Sequence, residues 1–435
     1  MATEKNILDV PMSSSPSVVE DSGILLHNLS TGDPVRIPAA KFLKTEFIDL
    51  SMMTIYGGSN LARETANSYV VRQPGAYKFP LVYGCGIKNG MANPAAYTNN
   101  GGAYQADFVN HLGNKITSPF IEANANCKPA SCEIVWQDYQ DLIQDLELVE
   151  GGDCKYLRFQ VPTVPIIGAN AVVAIKDSSS NIMWSWHIWV TSEDLSVEEF
   201  TNYTGKVYKM LPVNLGWTWD TTDRLKGKCP HFQWGRKDPM PPSKAYNSTA
   251  IATLYGNKTF AATAFDTVAE SIKRPHNFFI QNADNNNNWN DLTHFYNFWD
   301  ANCNATGASD NVTVKTIYDP CPPGFKIPAA RAFTGFTATG GYTEDATLFN
   351  VVGSFANGWK FKRNSADTIG NFFPASGYRN RESGAFTSMG SHGLCWSAGV
   401  ASEAYSYYLY FYSGYVTPLN TNYRAFGFAV RPVQE

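Results

Sequence analysis

Charged side chains are scarce in this sequence, 17% of 435 residues with a formal net charge of -4. Its longest basic run is residues 360–363 (KFKR), so the footprint that draws a protein onto a phosphate backbone is missing and nucleic acid is excluded as a partner. No apolar run reaches the roughly 18 residues of a membrane-spanning helix, which argues against membrane insertion. The N-terminus has no basic segment followed by an apolar one. The chain then reads as made without a secretory leader, or as one whose leader has been removed. The eight cysteines, Cys85, Cys127, Cys132, Cys154, Cys229, Cys303, Cys321 and Cys395, form no C-x-x-C pair, so a tight zinc cluster is not expected. They are also thin for a disulfide scaffold. Scattered, mostly buried thiols are expected, with one or two bridges as the alternative.

Catalytic signatures are absent too. There is no G-x-S-x-G, H-E-x-x-H, phosphate-binding loop or dinucleotide fingerprint. His187, set in an aromatic strand between Trp186 and Trp189, reads as a packing histidine rather than a base. Asp220, beside Trp219, has no acidic partner in view. Residues 289–291 (WND) match a tripeptide of lectin calcium sites, but the Glu-Pro-Asn that accompanies it is missing. The expectation is a protein that is not an enzyme and carries no cofactor and no metal.

What the chain has in quantity is aromatic and β-branched side chains. Aromatics are 14%, with 23 Tyr, 26 Phe and 11 Trp, and hydrophobic residues reach 44%. This composition suits pleated, half-buried sheets, and the length calls for more than one core. Residues 1–45 read as a tether holding a short hairpin and helix. From 46 to 180 short strands at 67–71, 75–83, 133–136, 155–161 and 171–175 alternate with turn clusters, the pattern of a β-sandwich. Residues 183–190 (MWSWHIWV) open a third section of long Trp-, Gly- and Asn-rich loops, with a helix expected over 262–271.

The end of the chain is the most informative part. Residues 402–426 hold Tyr405, Tyr407, Tyr408, Tyr410, Tyr412, Tyr415 and Tyr423. In a strand, Leu409 and Phe411 would face one side and Tyr408, Tyr410 and Tyr412 the other. Leu and Phe belong to a core, whereas three neighbouring tyrosines opposite them are not needed for folding. A sheet buried on both faces would give the same alternation. The sharper expectation is a displayed binding patch, because Tyr offers large contact area with few rotatable bonds and a polar tip.

Several motifs together resemble a known family. Residues 231–239 (HFQWGRKDP), 316–328 (TIYDPCPPGFKIP), 374–379 (PASGYR), 395–397 (CWS) and 424–431 (RAFGFAVR) resemble the boxes of FISUMP-type domains of Bacteroides-like bacteria and their phages. That resemblance covers about 182–435. It implies a C-type-lectin-like fold, related in shape to the formylglycine-generating enzyme but without its catalytic cysteine pair. Residues 377–433 also resemble the variable proteins of diversity-generating retroelements. The resemblance implies a fixed frame of Gly377, Trp396, Leu409, Phe411, Val416, Pro418, Arg424, Gly427 and Phe428. It implies displayed, ligand-binding positions at Phe386, His392, Leu394, Tyr405, Tyr408, Tyr410, Tyr412, Tyr415, Thr417, Leu419, Tyr423 and Phe426. Two departures stand out: residues 210–216 (MLPVNLG) only partly match their box, and Pro432 replaces a frequent Cys, which puts a bridge from Cys321 in doubt. Residues 67–80 (NSYVVRQPGAYKFP) resemble a module that precedes such domains and imply an Ig-like sandwich. Residues 33–38 resemble attachment regions of phage fibres.

The expectation is therefore a mainly β protein in three parts: an attachment segment (1–45), an Ig-like sandwich spacer (46–180) and an α+β C-type-lectin-like domain (181–435). Its expected role is that of a phage fibre, located on the virion, that binds a bacterial surface glycan or protein. Its expected partners are other virion proteins through the N-terminal segment, and two further copies of itself in a homotrimer. A secreted, fimbrillin-like adhesin on the bacterial surface is the alternative.

Overall fold

The computed structural model describes residues 24–27, 34–37, 46–219 and 223–435. The first two segments are an antiparallel hairpin, with Ile24 opposite Ile37 and His27 opposite Pro34. The helix expected to follow this hairpin, most of the attachment segment and Asp220 lie outside the described residues.

The remainder is mainly β, with a single α-helix, Val268–Lys273, among the described residues. Two four-stranded sheets come first. One has the order Ile48–Asp49, Gly75–Pro80, Tyr156–Val161, Gln144–Val149; the other runs Ser68–Val71, Ile182–Val190 (β1), Ala169–Lys176, Ser131–Gln137. The sheets face one another through aromatic rings: Phe79 of the first lies 4.9 Å from Tyr69 and 5.0 Å from Trp186 of the second. Ring pairs at this separation add to the area they bury.

The position of β1 differs from the division expected at 180/181. It is an inner strand of the second sheet, parallel to Ser68–Val71 and antiparallel to Ala169–Lys176. All nine of its residues are buried. Trp186 fills the space between the sheets, while Ser185 and Trp189 reach the opposite way, to the Asp238 carboxylate (2.6 Å) and the Trp217 carbonyl (3.1 Å). A strand covered on both faces reads as a near-continuous apolar run, and this one does, interrupted only by Ser185 and His187. His187 on it is a core histidine: Nε2 donates to the Asn170 side-chain oxygen (2.9 Å) and Nδ1 lies 3.0 Å from the Ser68 oxygen.

The sandwich and the region C-terminal to it share one apolar core, which runs from Leu50 to Val433. They are also joined by a polar seam. The Asn67 amide donates to the carbonyls of Ile317 (2.6 Å) and Asp319 (2.8 Å), and Ser68 donates to that of Pro320 (2.6 Å). The segment it grips is turned by the buried Asp319 carboxylate, which accepts from the amides of Cys321 (2.7 Å) and Ile327 (2.9 Å). The 231–239 segment is structural as well: Lys237 is buried against Ser185 Oγ and Asp238, both at 2.6 Å.

Beyond the sandwich the sheets are small and the loops long. The last strand, Val433–Gln434, pairs with Val207–Met210 and Phe325–Lys326. Two strands carry the Tyr-rich run, Tyr405–Tyr412 (β3) and Tyr415–Tyr423 (β4), and together with Gly393–Val400 (β2) they form a three-stranded sheet with β3 in the centre. The helix expected at 262–271 is displaced. Ala261–Thr263 is a strand parallel to Asn277–Phe279, and the helix starts only after Thr267, whose hydroxyl caps the Glu270 amide at 3.1 Å. All eight cysteines are unpaired thiols, with Cys132 and Cys303 half-buried and the others buried.

Candidate ligand-binding surface

The alternation in β3 sorts its side chains by face. Leu409 and Phe411 are fully buried, Phe411 lying 5.2 Å from Phe361 in the core. Gly393 opposite Phe411 has to be glycine, since a Cβ there would stand 2.0 Å from the Phe411 ring. The other frame residues, Gly377, Trp396, Val416, Pro418, Arg424, Gly427 and Phe428, are buried too. Arg424 is held without a carboxylate: its guanidinium lies 4.7 Å from the Trp234 ring and 4.6 Å from that of Phe295, and it donates to the Ser402 carbonyl. Guanidinium groups stack on aromatic faces in this way when water is excluded.

Opposite the core lies a connected group of rings. His392 stacks on Tyr410 (5.7 Å) and contacts Tyr412 (5.2 Å); Tyr415 is 5.1 Å from Tyr410 and 5.3 Å from Tyr412, stacked on the latter. These four side chains are half-buried. Burial raises the Tyr410 phenol to about 12 and holds the His392 imidazole below its usual range. Among the described residues, no hydrogen bond occupies the hydroxyls of Tyr410, Tyr412 or Tyr415. A second cluster joins Tyr405 to Tyr423 (4.5 Å), with the Arg381 guanidinium 4.1 Å over Tyr423 and 5.5 Å from Phe426. Phe428 bridges the clusters, 5.7 Å from Phe426 and 4.7 Å from Tyr408.

Of the twelve positions expected on display, eight are half-exposed: His392, Tyr405, Tyr410, Tyr412, Tyr415, Leu419, Tyr423 and Phe426. Four are interior, and each has a physical reason. Phe386 covers the Arg379 guanidinium at 3.9 Å, and Leu394 sits beside the central strand opposite Tyr410. Tyr408 is packed between Trp396 and Phe428, its hydroxyl accepting from the Asn420 amide at 3.1 Å. Thr417 is buried opposite Tyr410, where the register shifts: Tyr408 pairs with Asn420 but Tyr410 with Thr417, a bulge at Pro418 and Leu419. A bulge also accommodates a proline that has no amide to give the ladder.

Sequence reasoning missed Tyr342, 57% exposed and edge-on to Tyr415 at 5.0 Å, along with Tyr378 and Arg381. The Gly-Gly-Tyr turn at 340–342 is the only local sign of Tyr342. A cleft of about 460 Å³ lies elsewhere, between the 106–113 loop and the Val268–Lys273 helix. Among the described residues no group of three or more His, Cys, Asp or Glu is placed to hold a metal ion. Asn290 of the WND tripeptide is buried, accepting from the Leu292 amide at 2.9 Å, and Trp289 donates to the Trp234 carbonyl at 2.7 Å.

Residues 356–433 match a family described only as a domain of unknown function (DUF8237). The matched segment contains β2, β3 and β4 and all twelve positions above. No curated protein and no solved structure matches the chain.

Proposed function

We propose that this protein is a receptor-binding protein of a phage fibre, whose Tyr-rich face binds a glycan or protein on the bacterial surface. In this reading residues 48–190 are an Ig-like spacer, the remainder is a C-type-lectin-like tip, residues 1–45 attach to other virion proteins, and three copies assemble. The observation that carries the reading is the aromatic strip formed by His392, Tyr410, Tyr412 and Tyr415, with three phenol hydroxyls that have no hydrogen-bond partner among the described residues. Such a surface suits non-covalent recognition: rings desolvate against a partner and hydroxyls choose its polar groups. Several copies on one particle would add avidity.

The test is retention of the full chain on a panel of bacterial strains, compared with the double variant Tyr410→Ala/Tyr412→Ala. Loss of retention in a variant that still unfolds cooperatively is expected. Equal retention of both proteins removes the Tyr face from the function.

A further inference from the structure

We infer that the loop 337–349, which lies outside both the matched segment and the twelve positions, is a further wing of the same recognition face, with Tyr342 as its ligand contact. The inference rests on the proposed binding role of the Tyr face. Three features carry it.

The loop is built rather than slack. Thr337 pairs with Phe349 at its base, where the Ala338 amide donates to the Leu348 carbonyl at 2.9 Å. Near its tip Thr343 exchanges both backbone hydrogen bonds with Val416 of β4, at 3.0 and 3.1 Å. The tip thereby extends the β2–β3–β4 sheet by one bridge. A segment fixed before the ligand arrives loses little freedom on binding.

The tip also continues the aromatic strip. Tyr342 stands edge-on to Tyr415, which stacks on Tyr412, so the rings run unbroken from the loop onto the hairpin. Tyr342 is the most exposed of these rings. Beside it the Tyr203 ring lies against Gly340, where a Cβ would come within 2.4 Å of that ring.

Finally, the chemistry of the tip is specific. The Tyr342 hydroxyl donates to Glu344 Oε1 at 2.5 Å, and this bond raises the phenol to about 12. With its proton committed, the phenol oxygen can only accept. Tyr342 and Glu344 together therefore select hydrogen-bond donors, such as ligand hydroxyl or amide N–H groups, beside an apolar patch that meets the ring.

The experiment uses the full chain and, as probe, intact cells of a strain that retains the wild-type protein. Tyr342→Ala is expected to weaken retention by about tenfold or more, as for a contact at the hot-spot level. Tyr342→Phe, which deletes one oxygen and keeps the ring, and Glu344→Gln are expected to fall between it and wild type. Melting temperatures should not move for any of the three, because the side chains are exposed. Retention of Tyr342→Ala within twofold of wild type, on cells that no longer retain Tyr410→Ala/Tyr412→Ala, overturns the inference and leaves the binding face intact. Unchanged retention of that double variant removes the proposed function instead.

Discussion

Phe411 and Tyr412 are neighbours in sequence and opposites in physics. Phe411→Ala removes a fully buried ring and is expected to cost about 3–5 kcal/mol. Tyr412 loses ring contacts on one side only, and Tyr412→Ala is expected to cost about 1 kcal/mol. Urea denaturation of the two variants measures the difference, and equal costs would make the Tyr face part of the core. The period of two was enough to separate Leu409 and Phe411 from the tyrosines. It was not enough to place Tyr408, Phe386, Leu394 or Thr417. Their burial depends on residues from other elements: Trp396 and Phe428 around Tyr408, and Arg379 beneath Phe386. Tyr342 escaped for the same reason, because only the Thr343–Val416 bridge brings it to the hairpin.

At the scale of elements, most strands of the sandwich were legible from alternation and turn residues, since local pattern is what defines them. The division at 180/181 was read from a change in composition, and composition does not report pairing. β1 belongs to the sandwich by its hydrogen bonds and to the following region by Ser185 and Trp189. A fragment of residues 182–435 should therefore fail to fold, having lost the partners of β1, whereas residues 48–435 should fold. Circular dichroism and limited proteolysis of the two fragments decide this. A cooperative melt of the shorter one would mean that β1 is not needed in its sheet. The helix starts later than expected at 262–271 because Thr267 caps the Glu270 amide, and residues 261–263 pair as a strand instead.

For the whole molecule, burial of basic groups sets the response to acid. His187 and His231 are fully buried and held down to about 3, and His276 to about 4, in each case chiefly because burial penalises the charged form. Their folded pKa values lie below the unfolded value near 6.5, so the unfolded chain takes up protons first as pH falls. Stability is then fully present above about 6.5 and declines by about 1.4 kcal/mol per histidine for each unit below it. Thermal melts at pH 7, 6 and 5 should show a progressive loss, and replacing His187 with Gln should make it shallower by about a third. A flat wild-type profile across that range would show that these imidazoles are not held neutral by the fold.

The seam of Asn67 and Ser68 against the carbonyls of Ile317, Asp319 and Pro320 has a mechanical consequence. Among the described residues the sandwich is tied to the segment at 317–320 by buried hydrogen bonds, so under the proposed role a tug on a bound partner would pass through this weld into β1 and its sheet. Turning the face against the sandwich would break that weld, with little compliance to absorb the load first. Ile48–Glu435 forms one compact unit, so such a load would be shared by the whole unit rather than taken up between two parts.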